Sequence, residues 1–83
     1  MARHEKTLEA IFALPTRSNV PWRDIESLLS SYGAKIKEGR GSRVRVKLQG
    51  IKAVFHRPHP QKEASKGSVE SVRHFLESAG FTP

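Results

Sequence analysis

Residues Arg43–His56, RVRVKLQGIKAVFH, decide how this chain folds. Val44, Val46 and Leu48 alternate with Arg43, Arg45, Lys47 and Gln49, the period of a strand with one face buried. Ile51, Ala53 and Phe55 alternate in the same way with Lys52, Val54 and His56. Between the two runs stands Gln49-Gly50, which reads as a two-residue hairpin turn, although Asn is the more usual partner for Gly. That turn fixes the register. Leu48 faces Ile51, Lys47 faces Lys52, Val46 faces Ala53, Arg45 faces Val54, Val44 faces Phe55 and Arg43 faces His56. All the apolar pairs then fall on one face, as register selection requires. The other face carries Arg43, Arg45, Lys47, Lys52 and His56. Lys47 opposite Lys52 is a repulsive pair, and a surface that keeps it suits a phosphate chain. A plainer purpose also fits the pattern, since charged strands keep a half-exposed sheet soluble and unpaired. Arg57 and the Gly/Arg-rich loop before β-structure resumes at Arg43 favour nucleic acid.

On the N-terminal side, Gly39–Ser42 reads as a loop and Ala34–Glu38 as a short edge strand. Further upstream, Trp22, Ile25, Leu28, Leu29 and Tyr32 make an amphipathic helical stripe. Pro21 suits its first turn and Gly33 supplies the left-handed residue past its end. Residues 4–14 form an additional helix, with Leu8, Ile11 and Phe12 on one face and Pro15 close behind. On the C-terminal side, Pro58 and Pro60 close the sheet, since neither can donate to a ladder. A last helix starts at Ser68 or slightly before, buries Val69, Val72, Phe75, Leu76 and Ala79, and is capped by Gly80. The predicted order is α-α-β-β-β-α. An α+β fold follows, with a three-stranded antiparallel sheet whose apolar face is covered by the helices.

The 83 residues make a single domain, 1–83, small enough that its core is near the lower limit for unassisted folding. No cysteine is present, so no disulfide or thiolate framework assists, which fits a reducing, cytoplasmic setting. No apolar run approaches the roughly 20 residues of a membrane span, and MARHEKTLEA lacks the apolar centre of a signal peptide. The net charge is +7, which favours a polyanionic partner. It is concentrated: Lys35 to Lys62 holds nine cations against Glu38 alone, while the remainder holds six cations and seven acids.

Taken together, the helix ending in Gly33, GSRVRVKL, the strand ending FHRPHP and KGSVESVRHFLESAGF resemble the HicA toxin family over about residues 21–81. Gly41-Ser42, Pro58-His59 and Lys66-Gly67-Ser68 match the family's short motifs in order and spacing. The resemblance implies a fold similar to the double-stranded RNA-binding domain. It also implies a metal-independent endoribonuclease (an mRNA interferase) that inhibits translation, is neutralised by a HicB-like antitoxin and needs no cofactor. One departure is plain. The family's catalytic His follows Gly-Ser, and here that place is Arg43.

The register offers a replacement, because His56 lies across the ladder from Arg43 on the same face. In transesterification at an RNA phosphate, with the 2′-OH as nucleophile, His56 is the candidate base. Imidazole suits that work because its unperturbed pKa is about 6.5. His59 is the candidate acid for the leaving 5′-oxygen. Arg43, Arg45, Lys47, Lys52 and Arg57 are the candidate RNA contacts, with cations placed to meet the charge-rich transition state. Without Cys or clustered carboxylates the sequence points away from metal-assisted cleavage, and His56 with His59 is too few ligands for a zinc site. His4 and His74 read as surface residues, Trp22 and Tyr32 as core, and Ser42 and Ser68 as loop and helix-cap residues. Two other functions remain open: a non-catalytic RNA-binding module, and an interaction protein whose basic sheet meets an acidic partner.

Overall fold

The hairpin forms in the register that its turn predicts. In the computed structural model, which describes residues 2–59 and 61–83, the elements are α1 (Ala2–Phe12), α2 (Trp22–Ser31), β1 (Lys35–Glu38), β2 (Arg43–Leu48), β3 (Ile51–His56) and α3 (Lys66–Ala79). The three strands form an antiparallel sheet in the order β1-β2-β3. Arg43 pairs with His56, Arg45 with Val54 and Lys47 with Lys52. At the turn Gln49 has φ 52° and Gly50 φ 77°, the left-handed pair that joins two strands without splaying them. Glycine adopts this freely; a side chain at Gln49 does so at some strain.

Burial along β2 alternates strictly, with Val44, Val46 and Leu48 inside and Arg43, Arg45 and Lys47 outside. Against that inner face lie Trp22, Ile25, Leu28 and Leu29 of α2 and Val69, Val72, Phe75 and Leu76 of α3. Phe55 joins the layers, edge-on to Trp22 at 6.0 Å and to Phe75 at 5.6 Å between centroids. Leu8 and Ile11 bring α1 into the same core. The architecture is the α-α-β-β-β-α, α+β arrangement that the periodicity predicts, with the double-stranded RNA-binding-domain-like topology that the resemblance implies.

The differences lie at element ends, and each has a local cause. The first helix spans Ala2–Phe12 rather than 4–14, and Leu14 is 80% exposed. Its end is held by Arg73 of α3, whose Nε donates to the Ile11 carbonyl at 2.9 Å and whose Nη2 donates to Thr16 Oγ1 at 2.9 Å. Carbonyls that a continuing helix would have used are met by a guanidinium instead. Pro21 stands just before α2, and its carbonyl accepts from the amides of Asp24 and Ile25. The N-cap of α3 is Ser65, whose Oγ accepts from the Ser68 amide at 3.2 Å; Ser68, expected as the cap, lies within the helix. Gly80 at φ 89° ends α3 in the left-handed conformation. Pro60, expected with Pro58 to close the sheet, lies outside the described residues.

One long-range feature is absent from any local pattern. The chain after β3 returns to the entry of α2, where Pro21 bridges Glu63. Trp22 donates its amide to the Lys62 carbonyl at 2.9 Å, and Ala64 donates to the Val20 carbonyl at 2.8 Å. The segment leaving His56 is thereby tied down at its far end.

Candidate functional site

The sheet's outer face is a lattice of cations, and its spacing follows from ladder geometry. Arg57 donates its amide to the Ser42 carbonyl at 2.8 Å, so the Ser42–Arg57 position is hydrogen-bonded. Hydrogen-bonded and non-bonded pairs alternate, which makes Arg43–His56, Arg45–Val54 and Lys47–Lys52 the non-bonded pairs. In such pairs the side chains stand closest, with Cα atoms about 4.5 Å apart. β1 extends two of these rows: Lys35 pairs with Lys47 and Lys37 with Arg45. The outer face thus reads Lys35–Lys47–Lys52, then Lys37–Arg45–Val54, then Arg43–His56.

The first two of these rows form a shallow concavity of about 670 Å³ lined by Lys35, Lys37, Arg45, Lys47, Lys52 and Val54 among others. Val54 among them is 57% exposed. None of Lys35, Lys37, Arg43, Arg45, Lys47 and Lys52 is in an ion pair among the described residues. Six unpaired cations on one open face repel one another, so the face is electrostatically prepared for an anionic chain. Lys35 and Lys37 are additions to the residues picked out from the sequence. Their signal was the parity of Ile36, which faces inward and sends both lysines outward.

At the end of β3 lies a second concavity of about 510 Å³, lined by both His56 and His59. Ser65 and Ser68, at the N-terminal turn of α3, line it as well, as do Gln61 and Arg57. Arg43 flanks it as the partner of His56 across the ladder. Both histidines are exposed to solvent. The two imidazoles, placed apart in the chain by a proline-containing turn, therefore open on one space beside the cationic lattice.

Arg57 occupies a different position from the other candidate cations. Alternation that turns His56 outward turns Arg57 toward the helices. Its Nε and Nη2 donate to Glu26 Oε2 and Oε1 at 2.7 and 3.0 Å, a two-pronged pair with α2. Its Nη1 donates to Glu38 Oε1 at 2.6 Å, at the end of β1. Glu26 Oε2 also accepts from the Trp22 indole N–H. The Arg57 guanidinium, foremost among the causes, holds the Glu26 carboxyl below its ordinary pKa; burial opposes this and the Trp22 N–H assists. Glu26 and then Glu38 raise the pKa of Arg57 in turn.

The remaining candidates behave as surface or core groups. His74 is 81% exposed beside Glu77, and His4 Nε2 lies 3.0 Å from Ser27 Oγ. Trp22 is buried, and Tyr32 stacks on Phe81 with centroids 4.1 Å apart. No cluster of three or more His, Cys, Asp or Glu suited to a metal occurs among the described residues. No helix among them is long and apolar enough to cross a membrane.

Fold and surface define a small α+β protein of double-stranded RNA-binding-domain-like topology with an open basic sheet. The family model described as the HicA toxin of bacterial toxin-antitoxin matches residues 22–82. The chain belongs to the HicA toxin family, whose members are toxin components paired with an antitoxin. No curated protein and no solved structure gives a significant match. The matched span leaves α1 outside it.

Proposed function

We propose that this chain is an endoribonuclease that cuts mRNA and is neutralised by a HicB-like antitoxin covering its basic sheet. The observation that carries the reading is the shared concavity of His56 and His59, flanked by Arg43 and continuous in the sheet with unpaired cations. RNA supplies its own nucleophile. His56 takes the proton of the 2′-OH as that oxygen bonds to phosphorus, and a 2′,3′-cyclic phosphate forms. The bond to the 5′-oxygen breaks as His59 gives that oxygen a proton. Arg43, one pair across from His56, offers a guanidinium to the phosphoryl oxygens as charge builds on them. Arg45, Lys47 and Lys52, with Lys35 and Lys37, hold the flanking phosphates. The step as written needs no metal, since each proton transfer has an imidazole.

Induced expression of the wild type beside His56→Ala, His59→Ala and Arg43→Ala tests this, with growth and RNA integrity followed together. The wild type is expected to fragment mRNA and arrest growth, and the histidine variants to lose cleavage by about 100-fold or more. Intact RNA under wild-type arrest would remove the nuclease reading. Persistent cleavage in His56→Ala would show that the base lies elsewhere. Arg43 in the place of the family's histidine favours one second reading, a toxin that occupies RNA without cutting it. That reading requires growth arrest with full-length RNA and an affinity that falls steeply with salt.

A further inference from the structure

Arg57 belongs by sequence to the basic segment, yet each of its three guanidinium nitrogens donates to a carboxylate of the protein. The fork on Glu26 and the bond to Glu38 join it to α2 and β1 at once. Its amide is held by the Ser42 carbonyl. Glu26 is itself fixed, because the indole that donates to it belongs to Trp22, which is 5% exposed and packed edge-on against Phe55. Beyond His59, the Lys62 carbonyl and the Ala64 amide bond to Trp22 and Val20. The turn that carries His59 is therefore anchored before it on Glu26 of α2 and after it on Trp22, the first residue of α2, and Val20 just upstream.

A guanidinium matched by two carboxylates has little net charge to offer a phosphate. Its geometry has another consequence. Arg57 lies between His56, the last residue of β3, and the turn that carries His59. Through this residue the fork on Glu26 joins α2 to the point where that turn leaves the sheet.

We propose that Arg57 is a positioning residue: its fork on Glu26, steadied by Glu38 and Trp22, sets where His56 and His59 stand relative to each other, and it does not contact RNA. The proposal rests on the reading that these two imidazoles act on an RNA phosphate.

The test compares Arg57→Gln, Arg57→Lys, Glu26→Gln and the Arg57→Gln/Glu26→Gln double variant. Measured for each are kcat, KM, the salt dependence of RNA binding and thermal unfolding. Arg57→Gln and Glu26→Gln are each expected to lower kcat on the order of 100-fold, since a displacement of about 1 Å in a reacting group has that effect. KM and the salt slope stay as in the wild type. Arg57→Lys, which keeps the charge but cannot form the fork, does not recover kcat. The double variant is no slower than the slower single, because both break one unit.

A phosphate contact gives the opposite pattern and would overturn the proposal. Arg57→Gln would raise KM and reduce the salt slope by about one, Arg57→Lys would restore most activity, and Glu26→Gln would leave binding unchanged or tighter. Glu38→Gln, on a side chain 67% exposed, serves as the mild variant if the others melt too low, and a severalfold fall in kcat is expected. Unchanged kcat in folded Arg57→Gln also sinks the idea. Should the wild type cut no RNA, the imidazole NMR resonances of His56 and His59 decide the matter separately. Arg57→Gln moves both if Arg57 positions them and leaves them in place if it does not.

Discussion

Lys47 stands between Lys35 on one neighbouring strand and Lys52 on the other. A row of three ammonium groups at ladder spacing works against the fold, because like charges directly opposite are destabilising. The row can be turned into an attraction by one change. Lys52→Glu is expected to raise folding stability by about 0.2–1 kcal/mol through a Lys47 cross-strand pair. RNA affinity should fall at the same time, with a smaller salt slope. Chemical denaturation and RNA binding at several salt concentrations measure both. A variant that gains stability without losing affinity would place the RNA path off this end of the sheet. Arg43 and His56 form the other extreme of the same face, and their opposition was already fixed by Gln49-Gly50. That part of the site was legible because period two and a two-residue turn leave only one register that buries every apolar side chain.

Between elements, the joint formed by Arg57, Glu26 and Glu38 ties the end of β3 to α2 and β1. It makes an acid-sensitive contribution whose sign follows from the carboxylate. Glu26 in the folded state has a pKa below its ordinary value, so its ion pair stabilises the protein at neutral pH. That stabilisation begins to be lost as the pH falls past the ordinary glutamate value of about 4.3, and is gone once the pH is below the lowered folded value. Glu26→Gln is expected to be less stable than the wild type at pH 7 and to have a flatter stability profile below about pH 4.5. Denaturation midpoints across acid pH check this, and parallel profiles would show that the pair contributes nothing to acid sensitivity. The sequence reading grouped Arg57 with the candidate RNA contacts on the basic segment, whereas its guanidinium lies on Glu26 and Glu38. The parity of β3 carries the signal for that position, since the residue after an outward His56 turns inward.

Across the whole molecule, the family match begins at residue 22, yet α1 is part of the core that supports the site. Ile11 is fully buried and Leu8 is 9% exposed, in one cluster with residues of α2, α3 and the sheet. Arg73 binds the end of α1 through the Ile11 carbonyl. Ile11→Ala is expected to destabilise the protein by about 2–5 kcal/mol, measured by urea unfolding. A loss near zero would mean that α1 is a detachable appendage.

The sequence by itself determined the elements, the hairpin register and the face on which Arg43, Arg45, Lys47, Lys52 and His56 stand. Those follow from local periodicity and one turn, which act over a few residues. Only the tertiary structure decided that Lys35 and Lys37 extend the basic rows, that His56 and His59 open on one space, and that Arg57 grips Glu26. The strand β1 is too short for its pairing partner to be read from its own pattern. Glu26 and Arg57 are 31 residues apart, and nothing in either neighbourhood names the other. Their meeting depends on how α2 packs across the sheet, a consequence of burying the apolar side chains of the whole chain together.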